Sequence, residues 1–216
     1  MIRGVVLFPG AGSSASHASL VAIDRALQPL RVERVDFPYR LAGRRAPDRA
    51  PVLVRAVREA VDRACEKWSC TPSEIVIGGR SMGGRVCSMA VAGFDGNDKV
   101  AQPAQAPLQV AGLVCVSYPL HPPGQPTKLR TAHLSSITVP SLFVSGTRDE
   151  FGSPEELRDH LAAVPTGLRL EFVDGARHDL RGKDEVVAAI VASWVAGLSD
   201  TGDTVRGAQS GDTAHG

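Results

Sequence analysis

Ile77-Gly78-Gly79-Arg80-Ser81-Met82-Gly83-Gly84 lies at the junction of two kinds of hydrophobic pattern. Upstream, Glu74 to Ile77 reads as a short strand. Downstream, Met82 to Gly93 is small and apolar on most sides and reads as a buried helix. A strand that turns directly into a helix forces the corner residue into a strained conformation and lifts its side chain clear of the sheet. That residue is Ser81. Positions two before and two after it pass close to neighbouring backbone, and Gly79 and Gly83 have no side chain to obstruct the approach. The helix start brings the positive end of its dipole to where an oxyanion would develop, with the Met82 N–H as the first donor in reach. A Gly-x-Ser-x-Gly match also describes an ordinary Gly-rich turn, so the flanking strand and helix carry the weight.

Working outward, short β-rich runs alternate with helical patterns, as in βαβ units joined into a parallel sheet. Strands are expected at Gly4 to Phe8, Val32 to Phe37, Glu74 to Ile77, Val110 to Ser117, Ser141 to Ser145 and Leu168 to Val173. Helices are expected from Ser16 to Gln28, along Leu53 to Trp68, over Met82 to Gly93, after the capping box Ser153-Pro154-Glu155-Glu156, and from Asp184 to Leu198. The expected architecture is α/β: a six-stranded, mostly parallel sheet with helices on both faces. Gly96 to Pro107 reads as a surface loop. Residues 1–198 form one domain in this reading, and the polar, Gly-rich 199–216 a disordered tail.

A serine hydroxyl needs a base, and the base needs an orienting group. Two further strands end in polar residues: Val144-Ser145-Gly146-Thr147-Arg148-Asp149-Glu150 and Val173-Asp174-Gly175-Ala176-Arg177-His178-Asp179. Parallel sheets assemble their sites past the carboxyl ends of their strands. Asp149 is therefore the expected acid and His178 the expected base, in the order Ser, acid, His. Glu150 is a neighbouring rival to Asp149, and either assigned residue could instead shape a loop. The second oxyanion donor is expected from Pro9-Gly10-Ala11-Gly12-Ser13-Ser14, with Ala11 N–H the candidate. Gly10 and Gly12 would let substrate approach that backbone. The chemistry implied is acyl hydrolysis through an acyl-serine, on a small-molecule ester or thioester, with no metal or organic cofactor required.

The bulk properties agree with an ordinary globular protein of one domain. The 216 residues are 43% hydrophobic and 22% charged, with a formal net charge of +1 that favours neither nucleic acid nor an anionic membrane. No apolar run approaches the roughly 20 residues of a membrane span. The four cysteines, Cys65, Cys70, Cys87 and Cys115, lack metal-ligand spacing. Most of them read as small buried hydrophobes in a reducing, cytoplasmic compartment.

One rival pattern is present. Gly10-Ala11-Gly12-Ser13-Ser14-Ala15 follows a strand, opens a helix in this reading and fits G-x-G-x-x-A, and Asp36 stands where a ribose-binding acid would sit in a dinucleotide-binding module. That reading leaves Ser81, Asp149 and His178 unexplained. A catalytically silent interaction protein on the same scaffold is the other alternative.

Four pieces together resemble a known group: Phe8-Pro9-Gly10-Ala11-Gly12, Gly79-Arg80-Ser81-Met82-Gly83-Gly84-Arg85, Tyr118-Pro119-Leu120-His121-Pro122-Pro123-Gly124 and Gly175-Ala176-Arg177-His178. They are similar to the α/β-hydrolase-like group that contains the testis-expressed hydrolase-like protein and a subunit of a chromatin acetyltransferase complex, itself similar to the dienelactone hydrolases. The resemblance spans about Val5 to Leu198. It implies the α/β-hydrolase fold and the triad roles for Ser81, Asp149 and His178. Dienelactone hydrolases use a cysteine nucleophile, so Ser81 departs from them and lactone opening is not implied.

Pro119 to Thr138 is too short for a large cap domain, which points to a small open site, with His121 either at its mouth or a structural part of a rigid Pro-rich loop. Arg40, Arg44, Arg45 and Arg49 follow the second strand, and Arg80 and Arg85 flank the serine. They either select an anionic acyl substrate or brace loops by pairing with Asp36, Asp48 and Asp149.

Overall fold

The computed structural model describes residues 1–96, 105–165 and 167–206. In chain order its elements are β1 (Gly4–Phe8), α1 (Ala18–Ala26), β2 (Arg31–Arg34), α2 (Pro38–Leu41), α3 (Ala50–Trp68), β3 (Ile75–Arg80), α4 (Met82–Ala92), β4 (Gly112–Val116), β5 (Ser141–Gly146), α5 (Pro154–Leu161), β6 (Leu168–Val173) and α6 (Asp184–Arg206). The strands form one six-stranded sheet of order β2-β1-β3-β4-β5-β6. Every pairing in it is parallel.

The alternation along β1 shows how the two layers arise. Val5 and Leu7 face α1 and α6, together with Val76, Val114 and Val144. Val6 and Phe8 face α3 and α4, together with Ile77, Cys115 and Phe143. All these residues are buried, and enclosing a side chain such as Leu7 stabilises the fold by roughly 1.5–3 kcal/mol. The central strands are therefore apolar throughout, as a sheet covered on both faces requires. α3 buries Leu53, Val57, Ala60, Val61, Ala64 and Trp68 and turns most of its charged residues outward, whereas Arg58 reaches across to donate to Ala90 O. α4 lies against the sheet and α3 and is buried almost all round. α5 begins with its capping box intact: Glu156 N–H donates to Ser153 Oγ at 3.2 Å, and Ser153 N–H to Glu156 Oε2 at 2.8 Å.

The structure departs from the sequence reading at several boundaries. β2 ends at Arg34 and not at Phe37, and the chain then turns into α2, which periodicity did not indicate. Phe37 and Tyr39 are the reason. Both are fully buried, and Phe37 packs on Phe8 with ring centroids 5.2 Å apart. β3 continues through Gly78 and Gly79 to Arg80, because the ladder to β4 persists that far. α1 starts two residues later than expected, with His17 as its N-cap. α6 continues past Leu198 to Arg206, into the segment read as a tail. Residues 97–104 of the expected Gly96 to Pro107 loop, and 207–216 of the tail, lie outside the described residues.

Candidate active site

Ser81 sits between the last residue of β3 and the first of α4, with φ 50° and ψ −116°. No side-chain-bearing residue favours that conformation, and it persists because both its backbone groups are committed. Ser81 N–H donates to Val116 O at 2.8 Å, extending the β3–β4 ladder by one rung. Ser81 C=O accepts from Arg85 N–H at 3.1 Å, the first bond of the helix. The turn is tight enough that a Cβ on either Gly79 or Gly83 would collide with the Phe8 carbonyl oxygen. Those glycines let β1 and the elbow meet, and the hydroxyl is left raised at the carboxyl edge of the sheet.

The loops after β5 and β6 are stitched together. Thr147 N–H donates to Val173 O at 3.1 Å and Arg148 N–H to Ala176 O at 2.9 Å. Gly175 N–H donates to Thr147 Oγ1 at 2.8 Å. This register carries Asp149 and His178 to the same place. Ser81 Oγ lies 2.8 Å from His178 Nε2, and His178 Nδ1 lies 2.9 and 3.0 Å from the two oxygens of Asp149. Asp149 can only accept, so the ring proton belongs on Nδ1 and Nε2 is left to accept from the serine hydroxyl. Asp149 is held in turn by Ser145 Oγ at 3.0 Å and Phe151 N–H at 2.9 Å. Its side chain is fully buried, while that of His178 is 12% exposed. Phe151 covers one face of the imidazole, with ring centroids 3.9 Å apart and 29° between planes. Edge and face together leave the ring little freedom.

A cavity of about 430 Å³ opens above the serine, lined by Gly10, Ala11, Gly12, Ser13, His17, Arg80, Ser81, Phe151 and His178. The loop on its far side is pinned from the β2 side of the sheet. Tyr39 OH donates to Ala11 O at 2.8 Å, Ala15 N–H donates to Asp36 Oδ1 at 2.8 Å, and Arg34 Nη1 donates to Ala15 O at 2.7 Å. Asp36 is thus engaged in holding the loop. The dinucleotide-like pattern also lacks its helix, since α1 begins at Ala18, well beyond the glycines.

Of the expected residues, the structure brings Ser81, Asp149 and His178 into one hydrogen-bonded chain and sets Gly10, Ala11, Gly12 and Arg80 around the same cavity. Met82 opens α4, so its N–H has no acceptor within the helix. His121 does not line the cavity. It is buried, with Nδ1 bonded to Pro122 O at 2.8 Å and Nε2 3.4 Å from Glu156, and its backbone N–H donates to Phe151 O at 3.1 Å. It braces the segment carrying Phe151. Of the six arginines read as a rim, Arg80 lines the cavity, whereas Arg44 pairs with Asp48 at 2.7 Å. Sequence reasoning passed over Phe151, Ser145, Tyr39 and His17. Phe151 and Ser145 stand within four positions of Asp149 and could have been weighed as its neighbours. Nothing local marks Tyr39 or His17.

Among the described residues no three His, Cys, Asp or Glu side chains cluster as a metal site, and no helix is long and apolar enough to cross a membrane. All four cysteines are free thiols.

Solved structures with the same fold include an α/β serine hydrolase homologue from Coxiella burnetii, with 16% identity, a TM-score of 0.68, and coverage of 89% of this chain and 85% of that one. Est1E from Butyrivibrio proteoclasticus matches with 16% identity and a TM-score of 0.67, over 92% and 89% of the two chains. A dienelactone hydrolase from Anabaena variabilis matches with 19% identity and a TM-score of 0.66, over 91% and 87%. The family described as alpha/beta hydrolase domain matches residues 2–193. With that match spanning nearly the whole sheet and its surrounding helices, the chain belongs to the alpha/beta hydrolase domain family.

Proposed function

We propose that this protein is a serine hydrolase that cleaves small carboxylic esters or thioesters through a Ser81–His178–Asp149 triad. The observation that carries the reading is the unbroken chain from Asp149 through His178 to the Ser81 hydroxyl, with links of 2.9 and 2.8 Å. In this reading Ser81 Oγ attacks the substrate carbonyl carbon as its proton passes to His178 Nε2. Asp149 stabilises the imidazolium that forms. The oxyanion accepts from Met82 N–H and Ala11 N–H, assisted by the N-terminal dipole end of α4. Collapse expels the alcohol or thiol, which takes the proton from His178 and leaves an acyl-Ser81. Water, deprotonated by the same imidazole, releases the acid and restores the serine. A cavity of about 430 Å³ suits small acyl groups.

Within the family, the Tyr118-Pro119-Leu120-His121-Pro122-Pro123-Gly124 segment supports, on our reading, a likeness to the testis-expressed hydrolase-like group. Four unpaired thiols accord with a cytoplasmic location. Treatment with a fluorophosphonate probe, followed by peptide mass mapping, tests the proposal. Label on Ser81, together with turnover of p-nitrophenyl acetate or butyrate, is expected. A chain that neither reacts nor turns over is a silent scaffold.

A further inference from the structure

His17 caps α1 with its imidazole. The backbone N–H of Ser19 donates to His17 Nδ1 at 3.3 Å, and Ser19 Oγ lies 2.8 Å from the same nitrogen. A backbone N–H can only donate, so Nδ1 keeps its lone pair and the single proton of the neutral ring sits on Nε2. Burial and the nearby Arg80 charge lower its pKa, against an opposing pull from Asp184, and so act in the same direction as this geometry. A helix cap has thereby fixed the tautomer of a side chain that lines the Ser81 cavity.

Arg80 lines the same cavity. Its Nη2 donates to His178 O at 3.1 Å, and its Nε–H is shut off from solvent without a hydrogen-bond partner. Asp179, Asp149 and Asp184 act on it from a distance, but none of them forms an ion pair with it among the described residues. Among the described residues no acidic side chain lines the cavity; Asp149 is hidden behind the imidazole of His178. The Ser13 hydroxyl is turned onto Gly10 O at 3.3 Å. The polar side chains left to meet a ligand beside the reacting pair are thus a neutral N–H donor and a partly dehydrated cation.

We propose that His17 Nε2–H and the Arg80 guanidinium form a carboxylate-recognising wall, so that the preferred substrates are esters or thioesters carrying a second, free carboxylate. This rests on the serine-hydrolase reading above. A cation deprived of some of its water and without an anion gains most from a ligand that supplies one, and the fixed donor beside it adds direction to that attraction. A neutral ester offers neither group its complement.

His17→Asn separates the two roles of the histidine. Asparagine is a favoured N-cap whose side-chain oxygen accepts the same backbone N–H, yet it is too short to present a donor where Nε2 stands. The experiment compares kcat/KM for mono-4-nitrophenyl adipate and 4-nitrophenyl hexanoate, esters of matched length that differ in the terminal carboxylate. The wild type is expected to favour the adipate ester by about tenfold or more, and the preference to fall about fivefold or more in His17→Asn, with Tm close to wild type. Inhibition of hexanoate-ester hydrolysis by glutarate but not by glutaramide tests the same wall without any substitution. Absence of preference in the wild type, equal losses on both esters in the variant, or equal inhibition by acid and amide overturns the wall. Hexanoate turnover with fluorophosphonate labelling of Ser81 reports the triad separately, so the two ideas fail by different results.

Discussion

Arg80 and His178 stand 98 positions apart in sequence, yet the Arg80 guanidinium donates through Nη2 to the His178 backbone carbonyl at 3.1 Å. The residue before the serine thus holds the chain segment that carries the imidazole, tying β3 directly to the loop after β6. The distance from Ser81 Oγ to His178 Nε2 is in part a property of that bond.

Arg80→Met keeps the apolar stem and removes the tie. We expect kcat on p-nitrophenyl butyrate to fall by about 10–100-fold, the scale of an ångström-sized misplacement, with Tm little changed. Arg80→Lys, which can still donate to the carbonyl, is expected to recover part of the loss. Identical rates for the Met and Lys variants would remove Arg80 from the positioning of His178.

Asp149→Asn retains the shape of the acid but offers its amide N–H to His178 Nδ1, which favours the proton on Nε2. The ring would then donate toward Ser81 where it should accept. A fall in kcat of about 10⁴-fold is expected on p-nitrophenyl acetate. Retention of activity within tenfold of wild type would assign the base's orientation to Phe151 and the backbone, not to Asp149.

The backbone of Ser81 makes a stability prediction that is independent of catalysis. At φ 50° and ψ −116° any β-carbon is strained, and glycine relieves it. Ser81→Ala and Ser81→Gly should both be inactive, with Ser81→Gly melting about 2–4 °C above Ser81→Ala after the entropic cost of glycine is offset. Calorimetry on the two variants decides, and a lower Tm for Ser81→Gly contradicts the account of strain.

Acid stability should be governed in part by a histidine outside the site. His133 is buried with its Nε2 2.7 Å from Ser88 Oγ. Burial, reinforced by Arg85, lowers its pKa from 6.5 to about 3. The unfolded chain therefore takes up this proton first on acidification. The contribution of the neutral ring is complete above pH 6.5 and is withdrawn as pH falls toward about 3, at up to about 1.4 kcal/mol per pH unit. Urea unfolding between pH 4 and 7 should give a shallower pH slope for His133→Gln than for wild type. Equal slopes would show that this ring does not drive acid unfolding.

Much of this was legible in the amino-acid order. β1 and β6 stand where their apolar runs put them, and the cap of α5 follows from Ser153, Pro154 and Glu156. These are local matters, decided by periodicity, by backbone donors within a turn, and by two glycines four residues apart. The gathering of Ser81, Asp149 and His178 was anticipated from their places after three strands of one sheet, because a parallel sheet brings all its carboxyl ends to one edge.

Distances and partners were another matter, since they depend on which side chains arrive from elsewhere. No pattern around residue 37 foretells that β2 stops early, for that is decided by Phe8 waiting on the neighbouring strand. Nothing near His17 reveals its tautomer, which Ser19 sets, or the cavity it faces, which β3 and the loops after β5 and β6 complete. His121, read at the mouth of the site, was drawn instead toward Glu156 on α5. Local chemistry chose the elements and their order. Long-range packing chose which atoms meet, because a contact between distant residues exists only once the sheet that separates and aligns them has formed.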